Sequence, residues 1–178
     1  MKICQHPNLI KLIDTFENND NFFIILEYLS GGDLFEYLSK REFKITEDRA
    51  RTISHQITNA LFYLHSYGIA HRDIKLENIL MTKASDDSQV KLIDFGLSKI
   101  LGPGESSQDP YGTLAYVAPE VLMQRPYSFY VDSWSLALSF TSCYQASCLL
   151  MLPQTEKLQD KQYKTKSHSV TSYGNMLG

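Results

Sequence analysis

A chain of 178 residues has room for one domain with a real core, and not comfortably for two. Hydrophobic residues at 43% and charged residues at 21% are the proportions of an ordinary globular protein. With 17 basic and 20 acidic residues the net charge is −3, which argues against nucleic acid or an anionic membrane surface as a partner recognised by bulk charge.

Three cysteines, Cys4, Cys143 and Cys148, make no paired framework, and an odd count fits a reducing compartment. The N-terminus has no apolar signal core. The longest apolar stretch, Leu136 to Leu152, is interrupted by Ser, Thr, Tyr and Gln. It reads as a core helix or a misjoined segment and not as a membrane span. A cytoplasmic, or more broadly intracellular and nuclear, location is expected.

In chain order, Leu9 to Phe16 and Phe22 to Leu26 are two β-prone apolar runs around Asn18-Asn19-Asp20-Asn21, the signature of a hairpin. Ser30-Gly31-Gly32 breaks the second strand, and Asp33 can cap a short helix carrying Leu34, Phe35 and Leu38. Thr46 is an N-cap for a longer helix, with Glu47 and Asp48 suited to its positive end. Ala50, Ile53, Ile57, Leu61 and Leu64 follow at spacings of three and four and give one apolar stripe. Gly68 would end that helix in the left-handed conformation. A second hairpin joins Ile79-Leu80-Met81 to Val90-Lys91-Leu92-Ile93 across a Ser- and Asp-rich turn. Residues 97–117 hold Gly102-Pro103-Gly104 and several serines and read as a mobile loop. From Gln154 onward the chain is polar and expected to be poorly ordered.

Four short motifs lie along this framework: His71-Arg72-Asp73, Asn78, Asp94-Phe95-Gly96 and Ala118-Pro119-Glu120. Each alone is weak, since an isolated Asp is most often a turn or capping residue. Their order and spacing point to phosphoryl transfer, a reaction that needs positioning and charge neutralisation more than covalent help. Asp73 is the carboxylate for the attacking hydroxyl, and Lys75 the cation near the departing phosphate. Asn78 and Asp94 supply the oxygen ligands that Mg²⁺ prefers, delivered to neighbouring ends of one β-ribbon.

The stretch from His6 to about Leu136 resembles a eukaryotic protein kinase. His71-Arg72-Asp73-Ile74-Lys75-Leu76-Glu77-Asn78 and Gly112-Thr113-Leu114-Ala115-Tyr116-Val117-Ala118-Pro119-Glu120 resemble, more narrowly, a serine/threonine kinase of the calmodulin-dependent kinase group. The resemblance implies an α+β fold with a mainly helical large lobe and a remnant of the small-lobe sheet. It divides the chain into small-lobe remnant and hinge (1–29), partial large lobe (30–140) and a tail that does not match the family (141–178). ATP and Mg²⁺ are the implied cofactors and protein Ser/Thr hydroxyls the implied substrates. Nucleic acid and membrane are not implied, and the oligomeric state stays open.

By the same resemblance Leu26 is the gatekeeper, and the backbone of Glu27 and Leu29 meets the adenine edge. Leu80 is the floor under adenine, and Asp33 reaches the ribose. His71 and Phe95 belong to an apolar spine, Gly96 closes its tripeptide, and Thr113 lies in the substrate loop. Glu77 favours basic residues before the target hydroxyl. Glu120 is structural, and Asp132 anchors the backbone of the His71-Arg72-Asp73 turn. Arg72 suggests a loop ordered by a phosphate, with Ser106 or Ser107 as the acceptor. No glycine-rich loop, strand Lys or helix Glu of the family stands ahead of the hinge in these residues. Very low activity of this stretch alone is therefore expected, with a non-catalytic binding module or a non-functional fragment as the other readings.

Overall fold

The computed structural model describes residues 5–144. Cys4, Cys148, the side chain of Cys143 and the polar segment from Gln154 lie outside the described residues.

Strands β1 (Leu12–Glu17) and β2 (Phe22–Leu26) pair antiparallel. Asn18 closes their turn, its Oδ1 accepting from the amides of Asp20 at 3.1 Å and Asn21 at 2.8 Å. The first strand starts later than its apolar run suggested. Leu9, only 2% exposed, is taken up by a bridge to Leu92, and the Ile10 amide donates to the Leu92 carbonyl at 3.0 Å. Leu9 and Ile10 therefore extend the second hairpin, whereas Lys11 still bonds Glu27 at the end of the first. Side chains of β2 are exposed throughout, as expected of a two-stranded ribbon with little to pack on.

Asp33 caps α1 (Leu34–Ser39), its Oδ1 accepting from the Glu36 amide at 2.7 Å. Thr46 caps α2 (Glu47–Ser66) by accepting from the Arg49 amide at 3.2 Å. Gly68 follows with φ +71°, the left-handed conformation that ends the helix. The whole expected stripe of α2 is buried. It packs with Leu34 and Leu38 of α1 onto β4 (Ile79–Met81) and β5 (Val90–Leu92), forming the main core. Each such Leu or Ile adds about 1.5–3 kcal/mol through burial. β4 and β5 pair as the second hairpin, and their alternation sends Ile79, Met81, Val90 and Leu92 inward while Leu80 and Lys91 face the other way.

The stretch expected to be a mobile loop is fastened at several points. Within it β6 (Lys99–Ile100) pairs with β3 (Ile69–Ala70), and Ser107 and Tyr127 exchange two backbone hydrogen bonds of 2.8 Å. Both contacts are distant in sequence, so glycine and serine content could not announce them. Helix α3 (Pro119–Leu122) begins a second small core of Ala118, Val121, Tyr127 and Val131. Helix α4 (Tyr130–Tyr144) runs past the expected boundary at 140. No described helix is long and apolar enough to cross a membrane.

Candidate active site

The turn between β3 and β4 carries His71, Arg72 and Asp73, all buried. Arg72 has φ +70°, a left-handed conformation that costs a non-glycine residue of order 1–3 kcal/mol. Asp132 of α4, fully buried, holds the turn in this state. Its Oδ2 accepts from the His71 amide at 2.9 Å and its Oδ1 from the Arg72 amide at 2.8 Å. His65 Nε2 lies 2.8 Å from the same Oδ2. The expected anchor is thus in contact with the turn.

The Asp73 carboxylate is the centre of the site. Oδ1 accepts from the Thr113 hydroxyl at 2.7 Å and the Thr113 amide at 3.2 Å. Oδ2 lies 2.9 Å from both Asn78 Nδ2 and Lys75 Nζ. Lys75 Nζ also donates to Thr113 Oγ1 at 2.9 Å. Burial pushes this carboxyl up, but the bonds from Lys75 and Thr113 and the Lys75 charge outweigh it and hold Asp73 below the usual carboxylate range. Asp73 is therefore ionised at neutral pH.

Asn78 closes a single turn of 3₁₀ helix (Leu76–Asn78), and its Nδ2 also donates to the Asp73 carbonyl at 2.8 Å. With that nitrogen engaged, Oδ1 is the atom suited to a metal. The Ile93 amide donates to the Asn78 carbonyl at 2.9 Å, so Asp94 follows directly on the residue paired with Asn78. Asp94 is exposed, adopts φ +60°, and accepts from the Gly96 amide at 3.0 Å through Oδ1. One carboxylate and one amide oxygen beside open space fit Mg²⁺, which keeps waters and takes substrate phosphates as further ligands. Among the described residues no cluster of three or more His, Cys, Asp or Glu offers a protein-only metal cage.

His71 is fully buried, its Nε2 lies 3.0 Å from the Ile93 carbonyl, and its ring meets that of Phe95 at 5.1 Å in an edge-on contact. Burial pushes the imidazole pKa down despite the neighbouring Asp132, Asp73 and Asp94. It stays neutral.

On the other side of the β4–β5 ribbon lie the residues expected around adenine. Asp33 forms a bridge with Leu80, Leu80 pairs with Lys91, and Lys91 Nζ bonds the Glu27 carboxylate. Glu27 thus borders the same patch as Leu80 and Asp33, with Leu26 and Leu29 next to it in the chain. The Glu27 amide is used by the Lys11 carbonyl at 3.0 Å, and one Asp33 oxygen by the α1 cap. Glu77, the middle residue of the 3₁₀ turn, is exposed. Glu120 accepts from the Arg125 amide through its carbonyl at 2.8 Å, and no ion pair of its carboxylate occurs among the described residues.

The phosphate expectation meets a different arrangement. Arg72 Nη1 is paired with Asp109 Oδ2 at 2.9 Å, and Lys99 Nζ with the same oxygen at 2.8 Å. Ser107 is 2% exposed and its hydroxyl already donates to Asp109 at 2.8 Å, whereas Ser106 is exposed. The Ser107 hydroxyl is thus already engaged within this cluster. Asp109, Lys99 and Tyr127 were missed in the sequence reading. The available signal was an acid in the same loop as the serines, in reach of a buried arginine.

Residues 1–175 match the model of the protein kinase domain. A probable myosin light chain kinase of Dictyostelium discoideum is 42% identical over 138 residues, covering 78% of this chain and 39% of its own. CDPK-related kinase 5 of Arabidopsis thaliana is 44% identical over 133 residues, 75% of this chain and 22% of its own. A calcium/calmodulin-dependent protein kinase type 1 of Macrobrachium nipponense is 40% identical over 138 residues, 78% and 39% respectively. The chain thus spans only 22% to 39% of the length of these relatives. With its motifs assembled on one turn and one ribbon, the chain belongs to the protein kinase family, among the serine/threonine kinases of the calmodulin-dependent group.

Proposed function

We propose that these residues carry the large-lobe share of a protein serine/threonine kinase site. The reaction is transfer of the γ-phosphoryl group of ATP to a protein hydroxyl. The observation that carries the reading is the Asp73 carboxylate, ionised and held by Thr113, Lys75 and Asn78 at 2.7–3.2 Å. As the hydroxyl oxygen bonds to the γ-phosphorus, the bond from that phosphorus to the bridging oxygen breaks. The hydroxyl proton passes to Asp73. A carboxylate with so low a proton affinity orients the hydroxyl first and takes the proton only as the new bond forms.

Lys75 balances charge on the transferred group, and Asn78 and Asp94 would hold Mg²⁺. That ion, when bound, neutralises charge on the phosphates. Leu26, Glu27, Leu29, Leu80 and Asp33 border the place for adenine and ribose. Exposed Glu77 favours substrates with basic residues ahead of the target hydroxyl. Supply of ATP puts such a reaction inside the cell.

Within these 178 residues no glycine-rich loop or Lys–Glu clamp covers the phosphates. Loss of one preorganised donor commonly costs about 3 kcal/mol. Roughly 4 kcal/mol for the missing set corresponds to about a thousandfold slower transfer by this stretch alone. The same observation favours a second reading, a module that binds nucleotide or partners without turnover.

Mg²⁺-ATP thermal shift together with labelled transfer to a basic Ser/Thr peptide separates the two. Transfer abolished by Asp94→Ala supports the enzyme. A shift without transfer supports the module, and neither signal refutes both.

A further inference from the structure

A pocket lies apart from Asp73, where the turn between α1 and α2 meets the turn of the β4–β5 hairpin. It holds about 440 Å³, within the range of ligand pockets, and shares no residue with the site described above. Arg41, Lys44 and Arg49 line it against one acid, Asp86. Its wall thus carries an excess of positive charge on a chain whose net charge is −3. Two of the cations meet on Tyr37: the Arg41 guanidinium lies 4.0 Å from the ring centroid and that of Arg49 5.7 Å. The Tyr37 hydroxyl donates to Asp86 Oδ1 at 3.1 Å, and Arg41 pairs with the same oxygen.

Arg49 is the cation that the fold leaves short of partners. Its Nη2 donates to the Ser88 carbonyl at 2.7 Å. Among the described residues it forms no ion pair, whereas Arg41, Lys44 and Arg51 around it all do. Its Nε is the one buried side-chain polar atom there without a hydrogen bond. The Asp87 carboxyl is drawn below its usual range by the Ser85 hydroxyl first, and only then by the charges of Lys83 and Arg49. A half-buried guanidinium with no counter-charge in contact is a cost that an incoming anion relieves.

The turn that carries Arg41 and Lys44 is held stiffly. Glu42 (φ +52°) and Phe43 (φ +58°) are consecutive non-glycine residues in the left-handed region, a costly conformation that surrounding contacts must maintain. The Phe43 amide donates to the Leu38 carbonyl at 2.8 Å, and its ring meets Phe35 edge-on at 5.8 Å. The Lys44 amide donates to the Arg41 carbonyl at 2.9 Å. The backbones of both cations are therefore fixed before anything binds, which lowers the cost of binding.

We propose that this pocket docks an acidic segment of a partner protein, one carboxylate entering between Arg41 and Arg49 and a second meeting Lys44. The planar forks of two arginines match carboxylate geometry. Lys44 is held only by Glu42, in a pair whose side chains are 80% and 79% exposed, so it is released at little cost. Asp86 is the competing acid. The chain's own polar end does not fit, since it carries Lys157, Lys161, Lys164 and Lys166 against Glu156 and Asp160. The docking does not depend on the kinase reading above.

The test is fluorescence anisotropy of a labelled Glu-Glu-Leu-Glu-Asp peptide, titrated at low salt with the full 178-residue chain and no ATP. Saturable binding is expected, and none for the Gln-Gln-Leu-Gln-Asn version. Arg49→Gln should weaken binding about tenfold and exposed Lys44→Gln about threefold. Asp86→Asn should tighten it about threefold, because the acid that holds Arg41 is gone. Arg51→Gln, an equal change of charge on α2 outside the pocket, should leave it within about twofold.

Lack of saturation overturns the proposal. Equal losses for Arg51→Gln and Arg49→Gln do so too, since bulk charge then explains the binding. Displacement of the peptide by inorganic phosphate or phosphatidylserine vesicles, at a matched concentration of charge, makes a small anion or a membrane the occupant and overturns it as well. Should Arg49→Gln fail to fold, opposite shifts for Lys44→Gln and Asp86→Asn uphold the proposal, and any other pattern overturns it. Absence of phosphoryl transfer with peptide binding intact refutes the kinase reading alone.

Discussion

Replacing Asp132 by Ala removes an acceptor shared by three donors. The two backbone amides of His71 and Arg72, at 2.9 and 2.8 Å, are buried and have no other partner in the turn. Each stranded buried N–H costs about 1–3 kcal/mol. His65, with 22% of its side chain exposed, can turn to water and adds little. Deleting the carboxylate also removes its own desolvation penalty, which offsets part of the loss. The balance is about 3 kcal/mol, and the left-handed Arg72 backbone, no longer clamped, relaxes away from φ +70°. At roughly 3 °C per kcal/mol for a chain of this size, Tm falls by about 10 °C.

Thermal unfolding followed by circular dichroism measures this directly. Lys40→Ala is the control, since it breaks an exposed pair with Glu36 worth about 0–1 kcal/mol. Asp132→Asn should be nearly as harmful as Ala, because an amide nitrogen then faces one of the donors. If Asp132→Ala melts within about 2 °C of wild type, or no earlier than Lys40→Ala, the clamp argument is wrong.

Three further outcomes are expected. His71 and His6 both have imidazole pKa values lowered by burial from 6.5, so the unfolded chain takes up protons there that the folded chain refuses. Stability therefore falls as pH drops below about 6.5, and His71→Phe should flatten the Tm profile between pH 7 and 5. Depressed Asp73 adds a second loss only as pH falls from its unfolded value, 3.8, through its lower folded one. Leu64→Ala, fully buried in α2, should cost about 3 kcal/mol in the urea midpoint, and a cost under 1 would mean that the stripe is not core. Gly112→Ala places a Cβ 2.8 Å from Val117 and 3.0 Å from the Arg72 carbonyl at φ +126°. It should destabilise by about 2 kcal/mol and release Thr113 from Asp73, read as faster exchange of the Thr113 amide.

Much of the molecule was legible before any coordinates. Asp33 and Thr46 cap the helices that they precede, because a cap needs only a side chain and an amide three residues on. The stripe from Ala50 to Leu64 is buried, because helical spacing alone puts those residues on one face. The β4–β5 hairpin follows from two short apolar runs around a polar turn, and it carries Asn78 toward Asp94. The contact of Asp132 with the His71-Arg72 turn came from resemblance, since nothing local ties residues 61 and 60 positions apart.

What stayed hidden was non-local. Leu9 leaves the first hairpin because Leu92, far along the chain, offers it a buried edge. The loop of residues 97–117 is held by β3 and Tyr127, which its glycines and serines do not reveal. Ser107 looks like any loop hydroxyl until Arg72, Lys99 and Asp109 are seen packed around it. The sequence by itself determined the caps, the stripe, the ribbon and the family motifs, since each depends on residues close together in the chain. Only the tertiary structure decided which acid answers Arg72, because a buried charge selects its partner by distance in space and not by position in the sequence.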